Sequence, residues 1–161
     1  MTWQLRTIGS TGTERLGERL GKLLKPPIVL ELRSDLGGGK TTFIRGLVRG
    51  VGSKDNVTSP TFTLSRIYQA GDLQIHHFDF YRLNDAGILA DQLAESVDDN
   101  KTVVAVEWAD IVEDILPEER LSIEFKPVAG GIEERRIIIK YPQSKRQLIA
   151  ELETEWPESR P

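Results

Sequence analysis

The stretch Ile28-Val-Leu-Glu-Leu-Arg-Ser-Asp-Leu-Gly-Gly-Gly-Lys-Thr-Thr42 decides the fold: an apolar strand runs into a glycine-rich loop, and Lys40 and Thr41 stand at the mouth of a helix. Three consecutive glycines, Gly37, Gly38 and Gly39, let successive backbone N–H groups turn inward on an anion. The helix start adds the positive end of its dipole, and Lys40 adds a mobile cation. Thr41 then offers a hydroxyl to Mg²⁺. The segment is a phosphate-binding loop, and Leu36, Gly37, Gly38, Gly39, Lys40, Thr41 and Thr42 are its expected nucleotide contacts. The usual spacing is Gly, four residues, then Gly-Lys-Ser/Thr, which places Ser34 where the first glycine would stand. A serine there must take ordinary backbone angles or bear the strain of left-handed ones. The competing reading is a βα turn that binds nothing. It accounts for one glycine, not three, and gives no reason for Lys-Thr to follow directly.

The rest of the chain sets the frame. Its 161 residues fit one domain over 1–161 with a single sizeable core. With 39% apolar and 29% charged residues the composition is that of a globular protein, and no apolar run is long enough to cross a bilayer. The start, Met-Thr-Trp-Gln-Leu-Arg, lacks the pattern of a secretory signal and there are no cysteines, so a cytoplasmic location is expected. A net charge of −4 argues against a broad basic face for gripping nucleic acid, so any link to RNA is expected to be indirect. Arg45 and Arg49 share one side of the helix after the loop and read as a solvated face.

Hydropathy patterning predicts a first strand over 2–8, then a helix from the capping-box spacing Thr11-Gly-Thr-Glu14 to about Leu24. Pro26 and Pro27 stop it, and Ile28 to Leu32 is a buried strand. The next helix spans Lys40 to about Gly50. Thr61–Tyr68 and Leu73–Phe80 read as an antiparallel strand pair across a short turn, and Asn84 as the N-cap of a helix over 85–93. Thr102–Val106 is a second continuous apolar strand, expected beside the first. A short helix over 111–116, a strand pair at 121–126 and 135–141, and a final helix over 142–156 complete the prediction. The sum is an α/β fold: one P-loop NTPase-like domain with a mixed parallel and antiparallel sheet and helices on both faces.

In such sheets ligands bind beyond the carboxyl ends of the strands, so Ser34–Thr41, Asp79 and Glu107 are expected to meet in one crevice. Mg²⁺ prefers hard oxygen ligands and keeps several waters, so a phosphate loop needs a carboxylate from a neighbouring strand end. Asp79 and Glu107 both qualify, as metal ligand or as orienter of the attacking water, which makes Lys40, Asp79 and Glu107 the catalytic candidates. Asp79 is equally placed to pair with Arg82. The loop Thr58-Ser-Pro-Thr-Phe62 carries hydroxyls stiffened by Pro60; it suits a switch that closes on a terminal phosphate, or a plain entry to a strand. His76 and His77, the only histidines, point to opposite faces of their strand, so one is expected to pack and the other to be exposed.

Asp35-Leu-Gly-Gly-Gly-Lys-Thr-Thr-Phe43, Val57-Thr-Ser-Pro-Thr-Phe62, His76-His-Phe-Asp-Phe-Tyr-Arg82 and Val106-Glu-Trp108, in that order, resemble the bacterial TsaE (YjeE) family over about Leu30 to Pro117. The resemblance implies an ATPase, weak when alone, needed for making threonylcarbamoyladenosine in tRNA. Its implied cofactors are ATP and Mg²⁺, and its implied partner is a TsaB–TsaD heterodimer through which tRNA is reached. Carried over by position, Lys40 holds the β and γ phosphates, Thr41 holds Mg²⁺ and Thr61 senses the γ phosphate. Asp79 and Glu107 serve the metal and the attacking water, and Trp108 matches a family tryptophan near the site. The chain departs from the family pattern at Ser34, normally glycine, at Gly38, often alanine, and at Asp110-Ile111, where Glu-Arg is common. The first departure is expected to lower nucleotide affinity.

Three rival functions share the loop. A small-molecule kinase needs an arginine-rich lid, and no such segment is visible. A GTPase needs Asn-Lys-x-Asp, whereas Asn100-Lys101 continues as Thr102-Val103. A non-catalytic nucleotide-bound scaffold would bind partners without hydrolysis.

Overall fold

A computed structural model describes residues 1–35, 37–60 and 63–156. Seven strands form one sheet: β1 (Thr2–Ile8), β2 (Ile28–Arg33), β3 (Ser65–Ala70), β4 (Leu73–Asp79), β5 (Thr102–Glu107), β6 (Leu121–Val128) and β7 (Gly131–Lys140). Their order across the sheet is β1-β7-β6-β2-β5-β4-β3. β2 lies between β5 and β6, parallel to both, and β4 runs parallel to β5, so the centre is parallel and the two margins are antiparallel hairpins and edges. The mixed sheet is the expected one.

Sequence explains the layering. Every residue of β5 is buried, and so are the first five of β2, which is why both read as unbroken apolar runs. Alternate residues serve two cores. Leu30, Leu32, Ile75, Val103 and Ala105 pack under α1 (Gly9–Leu23), α2 (Lys40–Val51) and α4 (Arg146–Thr154). Val29, Phe78, Val104 and Val106 face α3 (Ile88–Asp98) and the segment around Val112 and Leu116. Each fully buried large side chain, Phe43 or Leu47 for instance, contributes about 1.5–3 kcal/mol. Glu31, on the second face and 2% exposed, is neutralised by Arg33 and Arg120.

α2, the helix that follows the glycine-rich loop, is seated on α1 by four glycines. A Cβ at Gly46 would stand 1.8 Å from the Glu14 carbonyl oxygen, and one at Gly50 2.1 Å from that of Glu18. Reciprocally, Gly17 would meet the Phe43 carbonyl oxygen at 2.1 Å and Gly21 that of Leu47 at 2.5 Å. Two Gly-x-x-x-Gly faces thus bring the backbones together. At their rim Arg49 bonds Glu14 at 2.5 Å and Glu18 at 2.9 Å, so the face expected to be merely solvated carries an ion-pair cluster, while Arg45 is exposed.

Several boundaries differ from expectation for local reasons. α1 opens at Gly9, whose φ of +66° turns the chain straight out of β1, and no side chain caps it; the Thr11–Glu14 capping box does not form. Instead Thr13 bonds Thr7 at 2.9 Å. α3 starts at Ile88 rather than Asp85 because the Asp85 carboxylate accepts the Gly87 N–H at 2.9 Å, closing a turn, and Asn84 caps nothing. β3 starts at Ser65, after Leu64 at φ +65°. The helix expected over 111–116 is a 3-10 turn at Ala109–Val112, and the last helix is shortened to α4 by a 3-10 turn at Gln143–Lys145. Both histidines are buried, His76 at 6% and His77 at 0% exposure. They do point to opposite faces, but both faces are covered, so neither ring is exposed. Among the described residues no helix is long and apolar enough to cross a membrane.

Candidate functional site

β2 delivers the glycine-rich loop to the carboxyl edge of the sheet. Gly37 and Gly39 adopt φ of +75° and +101°, conformations open to glycine with little strain, and Gly39 is the residue from which α2 begins. Its carbonyl accepts the Phe43 N–H at 2.9 Å. Ser34 has an ordinary negative φ, so serine at this position bears no left-handed strain. Leu36 lies outside the described residues.

Parallel pairing of β4 with β5 puts Asp79 opposite Glu107, two strands ending level on the face that carries α2. Both carboxylates are buried, at 3% and 5% exposure, in spite of the cost of desolvating charge. Asp79 Oδ1 accepts the Tyr81 N–H at 2.9 Å, and Glu107 Oε1 lies 2.9 Å from His77 Nε2. An ionised carboxylate only accepts, so the ring N–H donates. His77 Nδ1 is buried with no hydrogen-bond partner among the described residues. The guanidinium of Arg82 lies over the Tyr81 ring at 4.8 Å.

The carboxylates, the loop and the helix start close one cleft of about 260 Å³, lined by Gly37, Gly38, Gly39, Lys40, Thr41, Thr42, Ser59, Asp79, Glu107 and Trp108. Lys40 is itself 7% exposed: its Nζ donates to Ser34 Oγ at 2.8 Å, Ser34 O at 3.1 Å and Asp35 O at 3.2 Å, with the Trp108 ring 5.3 Å away. Trp108 is held at φ +56°, its ring tilted against that of Tyr81 with centroids 4.9 Å apart. Such a backbone costs a bulky residue roughly 1–3 kcal/mol and clusters at functional sites. The start of the threonine loop is anchored by Tyr68, whose hydroxyl donates to Thr58 O at 3.0 Å, and Ser59 faces the cleft. Thr61, the expected γ-phosphate sensor, lies outside the described residues.

All the other expected site residues converge here. Two features were not foreseen. His77 belongs beside Glu107, and the signal was available: residues 77 and 79 alternate onto one face of a strand. A second cleft of about 230 Å³ shares Gly37, Gly39 and Thr42 with the first and continues to Gly9, Ser10, Thr13, Ile132, Glu133 and Arg135. It joins the start of α1 to the β6–β7 hairpin, segments that no sequence pattern links.

The residues suit a magnesium–phosphate pair. No group of three or more His, Cys, Asp or Glu side chains among the described residues forms a self-sufficient metal cage. One hydroxyl and two carboxylates beside a glycine-rich loop fit an ion that would take its remaining ligands from phosphate and water.

The sequence pattern of the family described as Threonylcarbamoyl adenosine biosynthesis protein TsaE matches residues 9–137. The chain is 36% identical over 146 residues to the tRNA threonylcarbamoyladenosine biosynthesis protein TsaE of Bacillus subtilis, covering 91% of this chain and 90% of that protein. It is 37% identical over 119 residues to the TsaE of Treponema pallidum, covering 74% and 87%. The crystal structure of Bacillus subtilis YdiB superposes with a TM-score of 0.76 at 31% identity, covering 96% of both chains. With its loop, paired strand-end carboxylates and sheet order, the chain belongs to the TsaE family of threonylcarbamoyl adenosine biosynthesis proteins.

Proposed function

We propose that this chain binds ATP with Mg²⁺ and hydrolyses it, slowly when alone, to drive a TsaB–TsaD heterodimer through the threonylcarbamoyladenosine modification of tRNA. It meets tRNA only through that complex. The observation that carries the reading is the level ending of β4 and β5, which sets Asp79 and Glu107 against Lys40 and Thr41 in one cleft.

The amides of Gly37 to Lys40 and the start of α2 receive the phosphates, and Lys40 balances charge on the transferring group. Thr41, with Asp79 or Glu107, holds the ion. Magnesium, when bound with the nucleotide, neutralises phosphate charge and orders water. Glu107, fixed by His77, orients the attacking water. The nucleoside extends into the second cleft, between Ser10 and Thr13 on one side and Glu133 and Arg135 on the other, because that cleft is continuous with the cradle at Gly37, Gly39 and Thr42.

Reconstituted modification with purified TsaB, TsaD, tRNA and ATP tests the reading. Glu107→Ala is expected to lose phosphate release and modification together, while binding to the heterodimer persists. Wild-type rates of both in that variant would sink it.

A further inference from the structure

Ser34 sits at the first position of the loop, and its hydroxyl has a defined orientation. It donates its one proton to the Asp35 carbonyl at 2.8 Å, so its lone pairs face Lys40 Nζ, also at 2.8 Å. That is the shortest of three bonds made by the ammonium, the others being to Ser34 O at 3.1 Å and Asp35 O at 3.2 Å. An ammonium has three donors, and all three are engaged within the loop.

Gly38 is the steric counterpart. A Cβ there would stand 2.3 Å from Ser34 Oγ, 2.6 Å from Ser34 Cβ and 3.0 Å from the Asp35 carbonyl oxygen. Gly38 also donates its N–H to that carbonyl at 3.1 Å, so its backbone cannot back away without losing the bond. The serine side chain occupies the space that a side chain at position 38 would need.

We infer that the Ser34 hydroxyl competes with phosphate for the Lys40 ammonium, and that Gly38 is the position whose missing side chain admits it. This pair is a positioning device that sets nucleotide affinity, and it rests on the reading of the cleft as an Mg·ATP site. Nucleotide must break a charge-assisted bond to recruit Lys40, and the released hydroxyl keeps its bond to Asp35 O. Ser34→Ala removes the competitor and keeps Cβ, so Lys40 is released more readily. Ser34→Gly does the same and also makes room at position 38.

Calorimetric titration of Mg·ATP into the full chain, with thermal melting to verify folding, decides the matter. Ser34→Ala is expected to bind about tenfold more tightly than wild type, the size of one charge-assisted hydrogen bond. Lys40 should also acylate faster in that variant than in wild type without nucleotide, read by peptide mass spectrometry. Gly38→Ala alone is expected to bind at least tenfold more weakly or to melt earlier, and Ser34→Gly/Gly38→Ala to recover both. Equal or weaker binding by a folded Ser34→Ala variant overturns the competition. Wild-type behaviour of Gly38→Ala, or failure of the double variant to recover, overturns the steric pairing. Absence of binding in wild type and every variant would remove the Mg·ATP reading itself, a result distinct from wild-type binding left unchanged by Ser34→Ala.

Discussion

His77 Nε2 lies 2.9 Å from Glu107 Oε1 across the β4–β5 pair, and both side chains are buried. The ring therefore fixes one oxygen of a carboxylate that lines the cleft. For the proposed role of Glu107 in holding water in line, a rigid partner is an advantage, since small displacements are expensive in rate.

Replacing His77 by Ala is expected to lower the rate of phosphate release about 10–100-fold. Mg·ATP affinity should change little, because His77 does not line the phosphate cradle. Single-turnover hydrolysis beside calorimetry separates the two. A drop in affinity with an unchanged rate would mean that the pair only shapes the fold.

Lys40→Ala removes the lysine that lines the cleft. The proposed charge stabilisation is worth several kcal/mol in a water-poor site. Hydrolysis and tRNA modification should each fall by a factor on the order of 10³. Lys40→Arg is not expected to rescue it, because the fork of a guanidinium does not fit the three oxygens that hold the ammonium. Rates near wild type in either variant would count against a phosphate role for this side chain.

Much of this arrangement was legible from residue order. β2 and β5 announce themselves as continuous apolar runs because both faces of the sheet are covered, and a strand that ends in a carboxylate must deliver it to the carboxyl edge. The loop was legible because amide cradles need glycine at Gly37 and Gly39. The same coverage buries both histidines, since α3 closes the face of β4 that alternation alone would leave open. Helix starts were misplaced where a side chain bonded a turn instead of capping, as at Asp85. The second cleft was hidden because residues 9–13 and 132–135 meet only through the pairing of β1 with β7.

Gly46→Ala tests the seat of α2 on α1. A methyl group there would meet the Glu14 carbonyl oxygen at 1.8 Å, and α2 would have to move off α1. Overpacking of this kind costs about 3 kcal/mol, which for a domain of this size lowers Tm by about 6–12 °C. Gly71→Ala is the control. It has φ +62° but nothing within 4 Å of its Cβ, so it should lose only about 1–2 kcal/mol. Gly46 itself has ordinary helical angles, so equal melting of the two variants would show that α2 can move off α1 at little cost.

Acid should destabilise the fold through His76. Burial, and secondarily the neighbouring His77, push the His76 imidazole down to about 4 from an ordinary 6.5. Its Nδ1 bonds Ser96 Oγ at 2.6 Å under α3, and its ring lies 3.9 Å from that of Phe78. In the unfolded chain the ring takes up its proton near pH 6.5, whereas in the native state it resists down to about 4. Below 6.5 the unfolded state therefore binds more protons, and stability falls with pH. The loss begins near 6.5, grows to about 3 kcal/mol by pH 4 and then levels off, because the native ring is protonated as well. Urea midpoints of wild type and His76→Gln measured between pH 7.5 and about 4 isolate this contribution from that of the carboxylates. The variant's stability should decline less steeply than wild type across this window. Parallel pH profiles would mean that the wild-type ring gains its proton in the native state as readily as in the unfolded one.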